Sequence, residues 1–447
     1  MQWSLIRPCG LLLKALANVA WARSVGVAHR SGVSLPKATE DEAVFLRFPV
    51  QSLARQMLNF AADILPRHIR FQMKLHRLHL FLLSLLLPVC ALGQGTDTLT
   101  MIVGTYTEGS ESKGIYTLRF NQSTGEAQLL STCKVGNPSF VCVAPGNRRV
   151  YAVSEYNDGR QAAVALSLDS ASGSLRVLNS QPTCGDGKGG EDPCNIWTDG
   201  HYVVTANYTG GSISVFPIAA DGSLKPASQY IKYTALHEGG AAHIHCVRPT
   251  PDGRYLLATD LGNDRIYRFP VNHKATPQNG QPFLLDDTVV YEGHQGWGPR
   301  HFVFDKTGYM VYLINELGDY VCTFGYGNKR LVTLQYQLAY DGQGHGSADI
   351  HLSPDGRYLY TSHRLRGDGI SIFEVDGERG MLHRIAYQST EKHPRNFNIT
   401  PNGRYLLCAC RDGNCIQVFE RDIRTGLLTD TGRTIHLPKP VCIQWVP

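Results

Sequence analysis

The sequence predicts an all-β chain folded as a seven-bladed β-propeller, with its N-terminal and C-terminal strands closing the ring inside one blade. The first observation is a recurring turn phrase, as in Pro251-Asp252-Gly253-Arg254-Tyr255-Leu256-Leu257 and Pro354-Asp355-Gly356-Arg357-Tyr358-Leu359-Tyr360. Its glycines are Gly146, Gly200, Gly253, Gly308, Gly356 and Gly403, at steps of 54, 53, 55, 48 and 47 residues. A period of this size with strand-type flanks is the mark of a propeller. The second observation is a double count of seven. Seven segments precede a turn glycine or stand where one is expected: 138–144, 194–198, 243–248, 299–304, 349–353, 394–400 and 440–446. Seven alternating segments serve as third strands: 114–120, 162–168, 212–217, 265–269, 319–324, 369–373 and 415–419. The third is that the run from Thr100 to Tyr106 reads as a second strand with no first strand before it. Its partner is then the C-terminal run 440–446, an arrangement that leaves no open sheet edge.

Each blade is read as four strands. The first leads into the Gly turn and the second leaves it. The third alternates, and the fourth follows a Gly-x-Leu turn at Gly125, Gly173, Gly222, Gly380 and Gly426. Asp252, Asp355 and Asn402 sit in the turns and are expected to form them. The longer interruptions, 186–192 and 273–286, read as loop insertions.

The 447 residues include 45 Gly, in keeping with a turn-rich protein, and carry a net charge of +5. Residues 1–93 hold 11 Lys/Arg and 4 Asp/Glu, so the rest of the chain is at −2 and offers no basic patch for nucleic acid. Met73 to Arg77 is a basic start, 78–87 is an apolar run too short for a stable membrane span, and Ala91-Leu92-Gly93 is a small-x-small cleavage site. Residues 73–93 are therefore expected to be a signal peptide, and 1–72 an over-extended start or disordered extension. The propeller domain is expected over 97–447, exported to the periplasm or beyond, or cytoplasmic if the signal is unused. Export would permit disulfides, with Cys410–Cys415 and Cys184–Cys194 as candidate pairs; small buried thiols are the competing reading. No Cys/His cluster has zinc spacing, and neither metal nor other cofactor is expected.

Repeat-equivalent positions converge on the propeller axis. Eight residues before each turn glycine, on the first strand, stand His245, Arg300 and Arg395; eight after it, on the second, stand Tyr208, Glu316, Arg364 and Arg411. First and second strands are antiparallel, so both sets reach the same mouth. His243, His301, Asp349, His351 and Asn396 lie beside them. An Arg300–Glu316 ion pair could be structural or functional, and Asp260 and Asp264 read as loop-stabilising residues. His243 and His245 share a face at period two, which suits metal binding less well than structure or proton transfer. Several guanidiniums at one mouth point to an anionic ligand, a carboxylate or a phosphate.

These phrases resemble the propeller lactonases, the family of 6-phosphogluconolactonase and the carboxymuconate-lactonising cyclases. The matching segments include Val103-Gly104-Thr105-Tyr106-Thr107, Ala242-His243-Ile244-His245, Gly298-Pro299-Arg300-His301, Asn315-Glu316-Leu317 and Pro394-Arg395-Asn396-Phe397, and the likeness runs from about Thr100 to Val446. The second blade departs from the pattern at Pro193-Cys194-Asn195, where relatives often carry His after Pro-Cys. The resemblance implies catalytic roles for His245, Arg300, Glu316 and Arg364. It implies hydrolysis of a sugar-type lactone, an anionic lactone or sugar acid being the small-molecule partner of a monomer. Glu316 or His245 would activate water, and Arg300 would stabilise the oxyanion or hold Glu316 ionised. Arg364 and Arg395 would bind the acidic group, with His243, His301, Asp349, His351 and Asn396 as further substrate contacts. Alternatives are a muconate-type cycloisomerase, a non-catalytic propeller binding protein or glycan, and a calcium-dependent lactonase.

Overall fold

The computed structural model describes residues 97–184, 189–342 and 344–446; the extension and signal peptide expected over 1–93 lie outside them. Seven four-stranded antiparallel sheets account for all the regular structure described, with no helix. Blades 1 to 6 occupy 141–182, 193–232, 244–292, 299–338, 347–389 and 394–436, and blade 7 combines 440–446 with 98–134. The inner strands adjoin in cyclic order, and Pro440–Val446 packs against the inner strands of blades 6 and 1. The expected closure is present: Thr98–Thr105 pairs with Pro440–Val446 in a register that includes Val103↔Ile443.

The sequence pattern follows from position in the ring. Second strands are covered on both faces, so Tyr202–Asn207 is buried throughout. Outer strands have one wet face, and Leu382–Ser389 alternates between exposed and partly covered residues. Apolar clusters form at the blade junctions: Val204 and Ile213 of blade 2 pack with Val247, Leu256 and Tyr267 of blade 3. Asp252, Asp355 and Asn402 accept backbone N–H bonds from Arg254, Arg357 and Arg404 at 3.1, 3.1 and 3.0 Å, the turn role expected of them.

The turn phrase also carries the latch between blades. Its terminal tyrosine donates to the Gly-x-Leu turn of the next blade: Tyr151 to Gly222 O (3.0 Å), Tyr312 to Gly380 O (2.8 Å) and Tyr360 to Gly426 O (2.7 Å). Tyr360 also accepts from the buried Arg421 Nε at 2.7 Å, and Arg421 Nη2 lies 3.2 Å from Asp355. Apart from Cys184, the cysteines from Cys133 onward are free thiols, and all of these but Cys142 are buried. Cys410 and Cys415 are register partners but are not bonded.

One irregularity recurs and matters for function. Five inner strands break register at the same place: between Pro193 and Asn195, Ile244 and Cys246, Pro299 and His301, Ser347 and Ile350, and Pro394 and Asn396. Such a bulge leaves a residue outside the ladder and re-aims its side chain. The residues so released include Cys194, His245, Arg300 and Arg395.

Each tyrosine latch is worth about 1 kcal/mol. Tyr151→Phe and Tyr312→Phe should each destabilise by that amount in denaturant unfolding and add when combined, since they lie at different junctions. Tyr360→Phe should cost more, because it also removes the acceptor of a buried guanidinium.

Candidate active site

The bulges of blades 3, 4 and 6 and the ends of the second strands of blades 4 and 5 bring five of the expected residues to one mouth. Arg300 is almost fully buried; its Nε donates to Glu316 Oε2 at 2.6 Å and its Nη1 to Ala348 O at 2.6 Å. Ala348 is, with Asp349, one of the two residues of blade 5 left unpaired at the equivalent register shift. Arg364 donates from Nε to Gly346 O at 3.0 Å, and its Nη2 lies 2.9 Å from Glu316 Oε1. That contact is an ion pair without hydrogen-bond alignment, and Nη2 is enclosed with no hydrogen-bond partner among the described residues. Arg395 completes the group, its guanidinium 5.6 Å from the Tyr106 ring centroid.

Glu316 is thus one carboxylate among three guanidiniums. Burial raises its carboxyl, but Arg364, Arg300 and Arg395 reverse that effect and hold it at about 2. Burial and the two like charges push Arg364 down to about 9 against the pull of Glu316, which still leaves it charged at neutral pH. His245 is buried and kept neutral, its basicity lowered by burial first and then by Arg300, His301, Arg395 and Arg364. Its Nδ1 is enclosed without a partner among the described residues.

A second network lies against this group. The His301 Nδ1 sits 2.8 Å from Asp349 Oδ1, and His351 Nε2 lies 3.0 Å from Asp349 Oδ2. Asn396 donates its amide to Asp349 and accepts from Ile443 N at 2.7 Å. Asp349 is held well below the ordinary carboxylate range, because His351 and the bond from His301 outweigh its burial. Burial and Arg300 lower His301 to about 3, so it is neutral, and its Nε2 has no partner among the described residues. His243 takes another direction. Its ring stacks on Tyr208 with centroids 4.2 Å apart, and its Nδ1 meets Tyr208 O at 3.0 Å.

Two groups that the repeat positions did not single out stand opposite Arg395. Glu155 accepts from Tyr106 OH at 2.7 Å and from the Ser139 hydroxyl. Both lie close enough to Arg395 to favour its charged form. Glu155 falls one residue past the counted position in blade 1. Arg411, which was counted, is spent on the neighbouring Asp412, at 2.8 and 3.0 Å. Asp260 and Asp264 are loop braces: Asp260 accepts from His243 N at 2.8 Å, and Asp264 from Gly296 N and Gly298 N at 2.7 and 2.8 Å. Among the described residues no group of three or more His, Cys, Asp or Glu is placed to hold a metal ion.

The family model described as lactonase, 7-bladed beta-propeller matches residues 100–445. The chain belongs to this lactonase family. A 6-phosphogluconolactonase of Formosa agariphila is 36% identical over 340 residues, covering 73% of this chain and 94% of its own. A Bacteroides fragilis crystal structure with a provisional 6-phosphogluconolactonase description superposes with a TM-score of 0.76 at 47% identity, over 79% of this chain and 99% of that one. The periplasmic gluconolactonase of Pseudomonas aeruginosa superposes with a TM-score of 0.70 at 31% identity, over 78% and 99% of the two chains. The relatives thus span essentially their whole length on the propeller.

In this lactonase the low value of Glu316 makes a stability prediction with a definite sign. Its folded carboxyl titrates at about 2 against an ordinary 4.5. The stabilisation is fully present above 4.5 and is lost as pH falls through 2. The difference corresponds to about 3 kcal/mol, reduced by the burial cost borne by Arg364. Glu316→Gln should be less stable than the parent at pH 7 and lose less stability between pH 4.5 and 2, as read by denaturant unfolding at each pH.

Proposed function

We propose that the chain hydrolyses a sugar-type lactone, with His245 as general base and the arginine group stabilising the charge that develops. The observation that carries this reading is the neutral, buried imidazole of His245 set among Arg300, Arg364 and Arg395. Lactone opening needs a base that is unprotonated at neutral pH and cations where the carbonyl oxygen becomes anionic. Glu316 suits the base role poorly: at about 2 it binds protons too weakly to take one from water, and both its oxygens contact guanidiniums. Its role in this reading is to hold Arg300 and Arg364 in place. Arg364 Nη2, not aligned on Glu316, is a buried donor without a hydrogen-bond partner among the described residues, and in this reading it turns to the substrate.

In the proposed reaction a water attacks the lactone carbonyl and gives its proton to His245 Nε2. Arg364 and Arg395 stabilise the tetrahedral oxyanion. The ring C–O bond then breaks, and the imidazolium returns the proton to the departing alkoxide, leaving a hydroxy acid. Base action at Nε2 requires the proton on Nδ1. The atoms that support this are close by. His245 and His301 border a small internal cavity with room for about one water. A water there would accept from His245 Nδ1 and donate to His301 Nε2, whose Nδ1 proton is held by Asp349. Asp349 and His301 are thus positioning residues, with His351 and Asn396 fixing Asp349. The signal expected at 73–93, together with the periplasmic location in the name of the Pseudomonas relative, supports an exported enzyme.

The test is proton release by residues 94–447 with a panel of lactones including glucono-δ-lactone, corrected for spontaneous opening. Saturable acceleration is expected; its absence across the panel would sink the lactonase reading in favour of cycloisomerisation or simple binding. His245→Asn should lower kcat by about 10²–10⁴ with the fold intact. Because His245 stays neutral well below pH 6.5, parent kcat/KM should hold steady from pH 7.5 down to 5.5. Asp349→Asn should lower kcat more than it alters KM and shift the acid limb of that profile.

A further inference from the structure

We propose that this site selects sugar lactones without a phosphate, an inference that rests on the lactonase reading and names its substrate class. The charge balance of the mouth carries it. Arg300 and Arg364 share Glu316, at 2.6 and 2.9 Å, and Arg395 faces Glu155. Arg411 is neutralised by Asp412, and His245 and His301 are uncharged. Three cations against two carboxylates leave a surplus of one positive charge. One charge matches the oxyanion of the transition state and the single carboxylate of a sugar-acid product. A phosphate monoester would add a charge of about −1.5 to −2 with nothing left to meet it.

The surroundings of the mouth strengthen the case, because two cavities adjoin it and both are acidic. One, of about 390 Å³, shares Tyr106 and Glu155 with the arginine group. Its walls hold Glu108, Glu155, Asp158, Asp192 and Asp412, against Arg411 and Lys439. Arg160, paired with Glu108 and Asp158 at 2.5 Å, reduces the excess without reversing it. The other cavity, of about 550 Å³, borders Tyr208, His243 and Leu317 and carries Glu238 and Asp264 with no Lys or Arg in its walls. A sugar bound by its carbonyl at the arginines extends its far carbons toward one of these cavities. There a free hydroxyl can donate to a carboxylate, whereas a phosphate meets like charge. The same arrangement concentrates no anion at the entrance, since steering fields follow the sign of the lining charge.

The measurement compares kcat/KM for glucono-δ-lactone and its 6-phosphate at low ionic strength, alongside calorimetric binding of gluconate and 6-phosphogluconate. The unphosphorylated member should be favoured about tenfold or more in both, with the preference shrinking as salt is added. The double variant Asp158→Asn/Asp192→Asn, outside the reacting group, should narrow the preference by roughly tenfold. Equal use of the two lactones, or preference for the phosphorylated one, overturns the proposal. Tighter gluconate binding without turnover of either lactone would support the selectivity while ending the lactonase reading. Failure to turn over either lactone together with failure to bind either sugar acid would overturn both.

Discussion

The pairing of Thr98–Thr105 with Pro440–Val446 is the constraint on which the rest depends. Seven sheets arranged around an axis are stable only if the ring closes, and here closure is made by two segments more than 330 residues apart in sequence. Once it is made, each inner strand has a neighbour on either side and each blade junction is sealed by apolar side chains. The residues at the start of each inner strand then have nowhere to point but the channel mouth. Burial of Arg300, with its 1% exposure, is a consequence of this geometry. A guanidinium so enclosed is tolerable only because Glu316 and a backbone carbonyl receive it.

The repeated bulge turns this architecture into a site. In a regular ladder His245, Arg300 and Arg395, at equivalent positions of three strands, would all point to the same face of their blades, toward a packed junction. Releasing one residue per strand at the same height lets three different blades direct a polar side chain to the axis, while the strand resumes its apolar alternation beyond. Blade 5 uses the same bulge differently: Ala348 is released and offers its carbonyl to Arg300, and Asp349 turns to the histidines beside the mouth. The repeat has thus been specialised blade by blade without altering its backbone plan.

The fold was legible in the sequence because a propeller repeats its signals. The turn glycines, the Gly-x-Leu turns and the alternating third strands are each written several times, so an error in one copy is corrected by the others. Counting from the turn glycine also found Arg300, Glu316, Arg364, Arg395 and His245. What counting missed were the exceptions to the repeat. His243 shares a face with His245 only in an unbroken strand. The bulge between Ile244 and Cys246 ends that relation, and His243 stacks on Tyr208 instead. Glu155 escaped because Asn147, not Gly146, holds the place of the turn glycine in blade 1: its N–H bonds Ala144 O at 3.1 Å as Gly253 N bonds Thr250 O at 2.8 Å, and the equivalent positions on either side are then Ser139 and Glu155. Arg411 was counted as part of the cationic group, but its charge is taken by Asp412, a partner on its own loop. Periodicity gives position; it does not give the partner that cancels a charge.

That distinction governs how the site should be understood. A count of guanidiniums taken from sequence suggests a strongly cationic mouth suited to a dianion. The structure pairs most of those guanidiniums with carboxylates of the protein itself. Arg300 is held by Glu316 and Ala348 and Arg411 by Asp412, whereas Arg364 Nη2 has no hydrogen-bond partner among the described residues. Glu316, although ionised and central, works best as the fixed negative charge that lets two guanidiniums stand side by side in a buried place. Removing it would leave their mutual repulsion unopposed, so its substitution acts on the arginines before it acts on any proton transfer. In the proposed reaction proton transfer falls to His245, a neutral imidazole at the mouth, whose basicity would rise as an oxyanion formed beside it. A base held weak in the free enzyme and strengthened by the transition state itself is an electrostatic means of favouring the transition state over the bound substrate.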